Sequence, residues 1–247
     1  MRNTRDTAGF AARLRAANPG PSMLRGLWLT FLGPFGLEVS ATAAVQWIGV
    51  DLQHGDLTEA DVVPLLRASR VPVLVRLASH DPAGLARVLD SGADGVIVPA
   101  VESAAEAEAL VRAAYPPPRG RRSTGLSRAG AVGSGTQPLL LPMIETAAGL
   151  DAVDAIAATE GVDGLFVGPY DLALSLGASS VTADPVLAAV RHVAATVGRH
   201  GRLTGVFAGD AGLAARLPPV DLLAVDTDAG ALRAGLAALF GDTAPPP

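Results

Sequence analysis

The stretch Trp47-Ile48-Gly49-Val50 runs without a break into Asp51-Leu52-Gln53-His54-Gly55-Asp56. Its first half reads as a buried strand. Its second half crowds ionisable groups and a glycine onto the end of that strand. Charged groups in such a place cost desolvation free energy unless they are paired or used. In parallel α/β folds the C-terminal strand ends are where active sites gather. Asp51 and His54 are therefore the first candidates for chemistry. The plainer reading is a strand end finished by solvated polar groups.

Working outward, the same pattern recurs. Apolar runs at Leu27–Leu32, Gln46–Leu52, Pro72–Leu77, Gly95–Ala100, Leu139–Glu145, Gly164–Pro169, Leu203–Ala208 and Leu222–Asp226 make eight strand candidates. Helix signals lie between them. Thr58 caps one helix; Asp81-Pro82 opens another that stops at Gly92; Ser103 begins a third that reaches about Ala114. Further helices are expected over Leu37–Ala44, Gly149–Ala158, Asp184–Gly198 and Asp210–Arg216, with a last one capped by Asp228 and ending near Phe240. Almost wholly apolar strands alternating with helices mean a parallel sheet covered on both faces. Eight such units mean an α/β fold of the (β/α)8 TIM-barrel kind. A doubly wound open sheet is the alternative, but no G-x-G-x-x-G follows the first strand. The domain reading is a short N-terminal helix (Thr7–Ala17) with a Pro/Gly linker over 1–24, one barrel over 25–240, and a frayed tail over 241–247. The basic, proline-rich and then small-residue segment 115–138 is a long loop, and such loops in compact domains are usually functional or mobile.

Composition narrows the chemistry. With 49% hydrophobic and 17% charged residues, the 247-residue chain can bury a large core. A net charge of −5 argues against nucleic acid or an anionic membrane as the main partner. No leader with an apolar core and no bilayer-length apolar run is legible, so the cytoplasm is the expected location. Cysteine is absent, which excludes disulfides, thiol nucleophiles and Cys-ligated metals. All 19 of the Lys+Arg residues are arginine. A Schiff-base aldolase, a lysine-bound pyridoxal enzyme and a P-loop NTPase each need a lysine, so this chain alone supports none of them.

The strand ends gather Asp51 and His54 from the second strand, Arg76 from the third, Glu145 from the fifth, Gly168-Pro169-Tyr170-Asp171 from the sixth, and Asp226 and Asp228 from the eighth. Glu145 and Asp171 suit a hard divalent cation, since Mg2+ takes one or two carboxylates plus water and substrate oxygens; Mn2+ and Co2+ also fit oxygen donors. The plain alternative for both is a helix cap or a polar strand end. Arg76 is costly in a strand unless it faces an anion, or makes a buried salt bridge to Asp51 or Glu145. His80, His192 and His200 read as solvated. Asp90, before Ser91-Gly92, reads as a capping or surface residue. Arg119, Arg121 and Arg122 either clamp an anionic substrate or keep a loop soluble.

Taken in order, Gly26-Leu27-Trp28, Asp51-Leu-Gln-His54, Val75-Arg76, Leu89-Asp90-Ser-Gly92-Ala93, Val98-Pro99, Tyr115-Pro-Pro, Gly120-Arg121-Arg122, Ile144-Glu145-Thr146, Gly161-Val-Asp-Gly164 and Gly168-Pro169-Tyr170-Asp171-Leu172 resemble the HpcH/HpaI aldolases, the metal-dependent class II pyruvate aldolases. The resemblance spans about residues 24–240. It implies a barrel whose eighth helix is swapped with a neighbour, in a homo-oligomer of dimers reaching a hexamer. It implies that Glu145 and Asp171 bind a divalent metal, that His54 is the acid/base and that Arg76 stabilises an enolate. It also implies that the backbone of Gly168, Pro169, Tyr170 and Asp171 binds the pyruvate carboxylate. By the same carry-over Asp51 supports the site, and Asp90 of a neighbouring subunit orients His54.

The chain departs from that pattern at Ser123-Thr124, where Gly-Val is frequent, and at Met143, where some members have glutamine. Its 125–139 segment is about ten residues short of the usual helix-bearing loop. The implied substrates are a small 2-oxo acid and an aldehyde. A decarboxylase or C–C-forming enzyme acting on oxaloacetate or a related 2-oxo acid is the alternative. A citryl- or malyl-CoA-type lyase and a non-catalytic barrel rank lower.

Overall fold

The computed structural model describes Phe10, Leu14 and residues 23–132 and 138–241. The expected N-terminal helix and linker, Phe10 and Leu14 apart, and the tail beyond Gly241 lie outside the described residues. Eight strands alternate with helices: β1 Leu24–Leu29, α1 Pro34–Ser40, β2 Trp47–Asp51, α2 Glu59–Ala68, β3 Val73–Arg76, α3 Pro82–Ser91, β4 Gly95–Val98, α4 Ala104–Ala114 and α5 Arg128–Ala131. Then follow β5 Leu139–Ile144, α6 Ala147–Asp151, α7 Val153–Ala158, β6 Gly164–Val167, α8 Pro169–Ser175, α9 Asp184–Arg199, β7 Leu203–Phe207, α10 Ala211–Ala214, β8 Leu222–Thr227 and α11 Asp228–Phe240. Each strand pairs in parallel with the next, and β8 returns to β1, so the sheet is a closed TIM barrel.

The barrel interior is filled by large rings set against glycines. Trp28, Trp47 and Phe166 are fully buried, and Trp28 stacks within 5.7 Å of Phe166. A Cβ on Gly49 would lie 2.3 Å from the Trp28 ring, and one on Gly205 would lie 2.2 Å from Phe166. Phe10 and Leu14, both buried, join this interior cluster. A second cluster packs the helices on the outside of the strands.

The N-terminal rim repeats one device. Just before each even-numbered strand a polar side chain accepts the amide at the start of the preceding strand. Gln46 Oε1 takes Arg25 N at 2.9 Å, Asp94 Oδ2 takes Val73 N at 2.8 Å, Asp163 Oδ2 takes Leu140 N at 2.9 Å, and Asp221 Oδ2 takes Thr204 N at 2.8 Å. Strands are thereby clasped in pairs.

Local chemistry explains most helix starts. Thr58 and Asp61 form a capping box, Ser103 caps α4, and Gly92 ends α3 with φ +90°. Four expectations need correction. The helix expected over Gly149–Ala158 is two, α6 and α7, meeting at Ala152. The 115–138 segment carries the helical turn α5. Pro169 does not end a strand; it opens α8 at a first-turn position that needs no N–H. Thr227, not Asp228, caps α11 by accepting Gly230 N.

Among the described helices of ten or more residues, α11 alone buries no apolar side chain. Asp228 is its one buried residue, while Leu232, Leu236, Leu239 and Phe240 are 51, 46, 77 and 81% exposed. No helix among the described residues is long and apolar enough to cross a membrane.

Candidate active site

The end of β2 lies beside the end of β3, with Asp51 in register with Arg76. Asp51 receives Arg76 Nε on Oδ1 at 2.9 Å and Arg76 Nη2 on Oδ2 at 2.5 Å, a two-pronged pair in a buried place. Trp28 Nε1 donates to the same Oδ2 at 3.3 Å, and the amides of Gln53 and His54 donate to Oδ1. The Arg76 guanidinium also lies 5.4 Å over the Trp28 ring. Burial pushes the Asp51 carboxyl up, but the Arg76 guanidinium outweighs it and holds the group below its ordinary value. A fixed positive charge therefore stands at the mouth. Arg76 is the one arginine among the described residues that ends a strand.

Across the mouth, Glu145 follows β5 and is 4% exposed. Its Oε1 accepts Ala100 N at 2.7 Å, whereas its Oε2 is buried with no hydrogen-bond partner. Ala100 holds φ +48°, a left-handed conformation that costs an alanine about 1 kcal/mol. The carbonyl of the preceding residue, Pro99, accepts His80 Nε2 at 2.6 Å. Burial raises the Glu145 carboxyl above its ordinary value. The Ala100 amide and Arg76 charge pull it back, and Asp171 and Asp51 push it further up. Asp171 lies in the first turn of α8, exposed, one strand along. Gly168 lets both side chains close in on its backbone: a Cβ there would sit 2.7 Å from Glu145 Oε2 and 2.6 Å from Met143 Cε.

Neither carboxylate is a helix cap. Thr146 caps α6 by accepting Gly149 N, and Asp171 sits inside its helix. An orphaned buried oxygen, and a second carboxylate near enough to act on it electrostatically, fit a hard divalent cation completed by water and substrate oxygens. No group of three or more His, Cys, Asp or Glu among the described residues forms a fuller cage.

A profile of the HpcH/HpaI aldolase/citrate lyase family matches residues 24–216. The chain belongs to that family. It is accordingly a carbon–carbon lyase of the class II pyruvate aldolase kind. Its HpcH/HpaI relatives include the 5-keto-4-deoxy-D-glucarate aldolase of Klebsiella pneumoniae, 35% identical over 217 residues that cover 82% of this chain and 84% of the relative. The hydroxypyruvate/pyruvate aldolase of Roseovarius nubinhibens is 36% identical over 210 residues, covering 79% and 82% of the two chains. Among solved structures, an HpcH/HpaI aldolase/citrate lyase family protein from Burkholderia cenocepacia superposes with a TM-score of 0.84 at 34% identity, covering 94% of this chain and 97% of the other. A citrate synthase, SbnG, superposes with a TM-score of 0.81 at 25% identity, covering 93% and 95%.

Within this HpcH/HpaI barrel the remaining candidates fall into two groups. His54 stands on the rim after β2, exposed, with its ring free of hydrogen bonds among the described residues. Tyr170 lies across the barrel from Arg76, its ring 5.8 Å from Phe207. Its hydroxyl is 3.2 Å from both the Ala208 carbonyl and Asp210 Oδ2. Burial and the Asp210 charge push that phenol up to about 12.

Asp90 is not at this mouth. It lies in the last turn of α3, at the opposite rim, where Arg122 Nη1 meets it at 2.5 Å. Arg119 lies over the Tyr115 ring at the same rim, so neither arginine clamps a substrate within its own barrel. His80 is not solvated but bonded to Pro99, and His200 is bonded to Asp154 at 3.0 Å. His192 is exposed, as expected.

Two contributors have no clear mark in the sequence, and a third is marked but misleads. Ala100 gives no signal, because alanine does not announce a positive φ. Trp28 belongs to a quoted motif, but nothing in that motif says that its indole serves Asp51. Asp228 is a visible strand-end acid, yet its work lies elsewhere. It accepts the amides of Thr30, Phe31 and Leu32 and the Thr30 hydroxyl, fixing the loop after β1.

Proposed function

We propose that this HpcH/HpaI protein makes and breaks the C–C bond between C3 of pyruvate, as its enolate, and the carbonyl carbon of an aldehyde, with a divalent cation (Mg2+, Mn2+ or Co2+) held by Glu145 and Asp171. The observation that carries the reading is the buried Glu145 Oε2 without a partner, set against Gly168. Such an atom is tolerated where a ligand completes it. When bound, the cation supplies Lewis-acid polarisation of the keto oxygen.

The chain's own residues do the rest. In the cleavage direction the 4-hydroxyl of the substrate loses its proton and the C3–C4 bond breaks. The bond's electron pair stays on C3 as the enolate, and the aldehyde departs; a proton delivered to C3 then yields the pyruvate methyl group. His54 on the rim takes or returns the proton, an effect worth roughly 10²–10⁴-fold. Arg76, held by Asp51, places fixed positive charge where the enolate oxygen develops. Gly168 N is bonded to Ile144 O and Pro169 has no N–H, which leaves the amides of Tyr170 and Asp171 to receive the pyruvate carboxylate. The apolar residues exposed along α11 support a helix swapped into a second copy, within a dimer-based homo-oligomer up to a hexamer. In such an assembly Asp90 of a neighbour is brought to His54. We place the enzyme in the cytoplasm.

A second reading keeps the site and changes the reaction: decarboxylation of oxaloacetate or a related 2-oxo acid, or C–C formation from its enolate. It is favoured by the likeness to the SbnG citrate synthase at 25% identity. Exchange of the pyruvate methyl protons in deuterated water, followed by NMR with Mg2+, Mn2+ or Co2+, reports the enolate step without an acceptor. Glu145→Ala or excess EDTA should abolish it; full exchange in EDTA removes the cation from the mechanism. Oxaloacetate assayed beside aldol acceptors separates the two reactions.

A further inference from the structure

The Pro99–Ala100 peptide group is held at both ends. Its carbonyl oxygen accepts His80 Nε2 at 2.6 Å, and its N–H donates to Glu145 Oε1 at 2.7 Å. A peptide group is planar and rigid, so fixing one end aims the other. A donor on the carbonyl also polarises the amide toward its own acceptor. The residue that leaves this plane, Ala100, holds φ +48°. An alanine persists there only where its surroundings over-determine it. Met143 O accepts the next amide, Val101 N, at 3.1 Å, but the orientation of the Pro99–Ala100 plane itself is left to His80 and Glu145.

From this geometry we propose that His80 is a positioning residue for the cation site, acting on Glu145 through the Pro99–Ala100 peptide. With His80 in place, Oε1 is tied down by Ala100 N and Oε2 is the atom left for the cation. Without His80 the plane rotates, Ala100 relaxes to negative φ, and Glu145 loses the hydrogen bond that selects its rotamer. The proposal rests on Glu145 being a cation ligand. It assigns a task to a histidine whose place after β3 and before α3 suggests only a loop residue.

The experiment is Mn2+ titration of the full-length protein, read by water-proton relaxation without substrate. Outer-shell partners of metal ligands typically contribute 10–100-fold in affinity. His80→Ala should weaken Mn2+ binding by about that factor, and His80→Gln, which keeps an N–H donor, should recover most of it. Adding Ala100→Gly to His80→Ala should also restore affinity in part, because glycine holds positive φ without a partner's help. Affinity of folded His80→Ala within about twofold of wild type overturns the proposal. If His80→Ala does not fold, His80→Gln against the shorter His80→Asn carries the comparison, and equal affinities overturn it. Wild-type protein that binds no Mn2+, or Glu145→Ala that binds it as wild type does, removes the cation reading itself and this inference with it. Normal dependence on Glu145 with no dependence on His80 removes the inference alone.

Discussion

At the N-terminal rim Asp94, Asp163 and Asp221 each spend a carboxylate oxygen on the opening amide of a strand. At the mouth Glu145 spends one oxygen on Ala100 and keeps the other buried with nothing to accept. Both ends of one barrel bury acidic side chains, and the surroundings treat them differently. The rim acids meet donors supplied by the sheet itself, and such bonds to buried amides stabilise the strands they join. Burial raises the Glu145 carboxyl; the Ala100 amide and the Arg76 charge pull it back, and the like charges of Asp171 and Asp51 add to the rise. Satisfied acids at one end and an unsatisfied one at the other separate the part of the barrel that holds shape from the part where we propose that a ligand binds.

Variants can break that contrast. The largest effect is expected for Glu145→Ala, with pyruvate proton exchange falling by about 10³-fold or more while the fold is kept. Asp51→Asn should cost about 3 kcal/mol in urea unfolding, because it leaves the buried Arg76 without its counter-charge. In wild type the Asp51 contribution follows a lowered carboxyl. It is fully present above pH 3.8 and is lost as pH falls through the folded-state value below that. Asp163→Ala should cost about 1–3 kcal/mol by stranding Leu140 N, yet leave the exchange rate per folded molecule unchanged. The smallest effect has the opposite sign. A raised carboxyl favours folding below pH 4.5 and loses that contribution as pH rises through the folded value, so ionised Glu145 is a burden at neutral pH. Glu145→Gln should therefore stabilise the cation-free protein against urea at neutral pH, with the gain fading as the pH is lowered towards 4.5. It should also remove the rise in Tm that Mg2+ gives wild type.

Much of the barrel was legible because its strands are continuous apolar runs; all eight fall where those runs lie, to within a few residues. Arg76 was legible as needing an anion, since it interrupts an apolar run, but the sequence left Asp51 and Glu145 open as partners and the structure gives Asp51. Helix α8 was not, because Gly168-Pro169 reads equally as a strand's end or a helix's first turn, and only the chain's direction after β6 decides. His80 and Ala100 were illegible for another reason. Their link to Glu145 runs through a backbone peptide group, and side-chain identity says nothing about which way a peptide faces. The rim acids stood in plain view in Ala93-Asp94-Gly95 and Val162-Asp163-Gly164, but spacing alone does not reveal that each reaches back to the strand before.

That clasping of β1 with β2, β3 with β4, β5 with β6 and β7 with β8 also sets the natural unit of exchange between related barrels. A chimera joined after an even-numbered strand inherits every clasp from a single parent. One joined after an odd-numbered strand asks the acid of one parent to find the amide of the other.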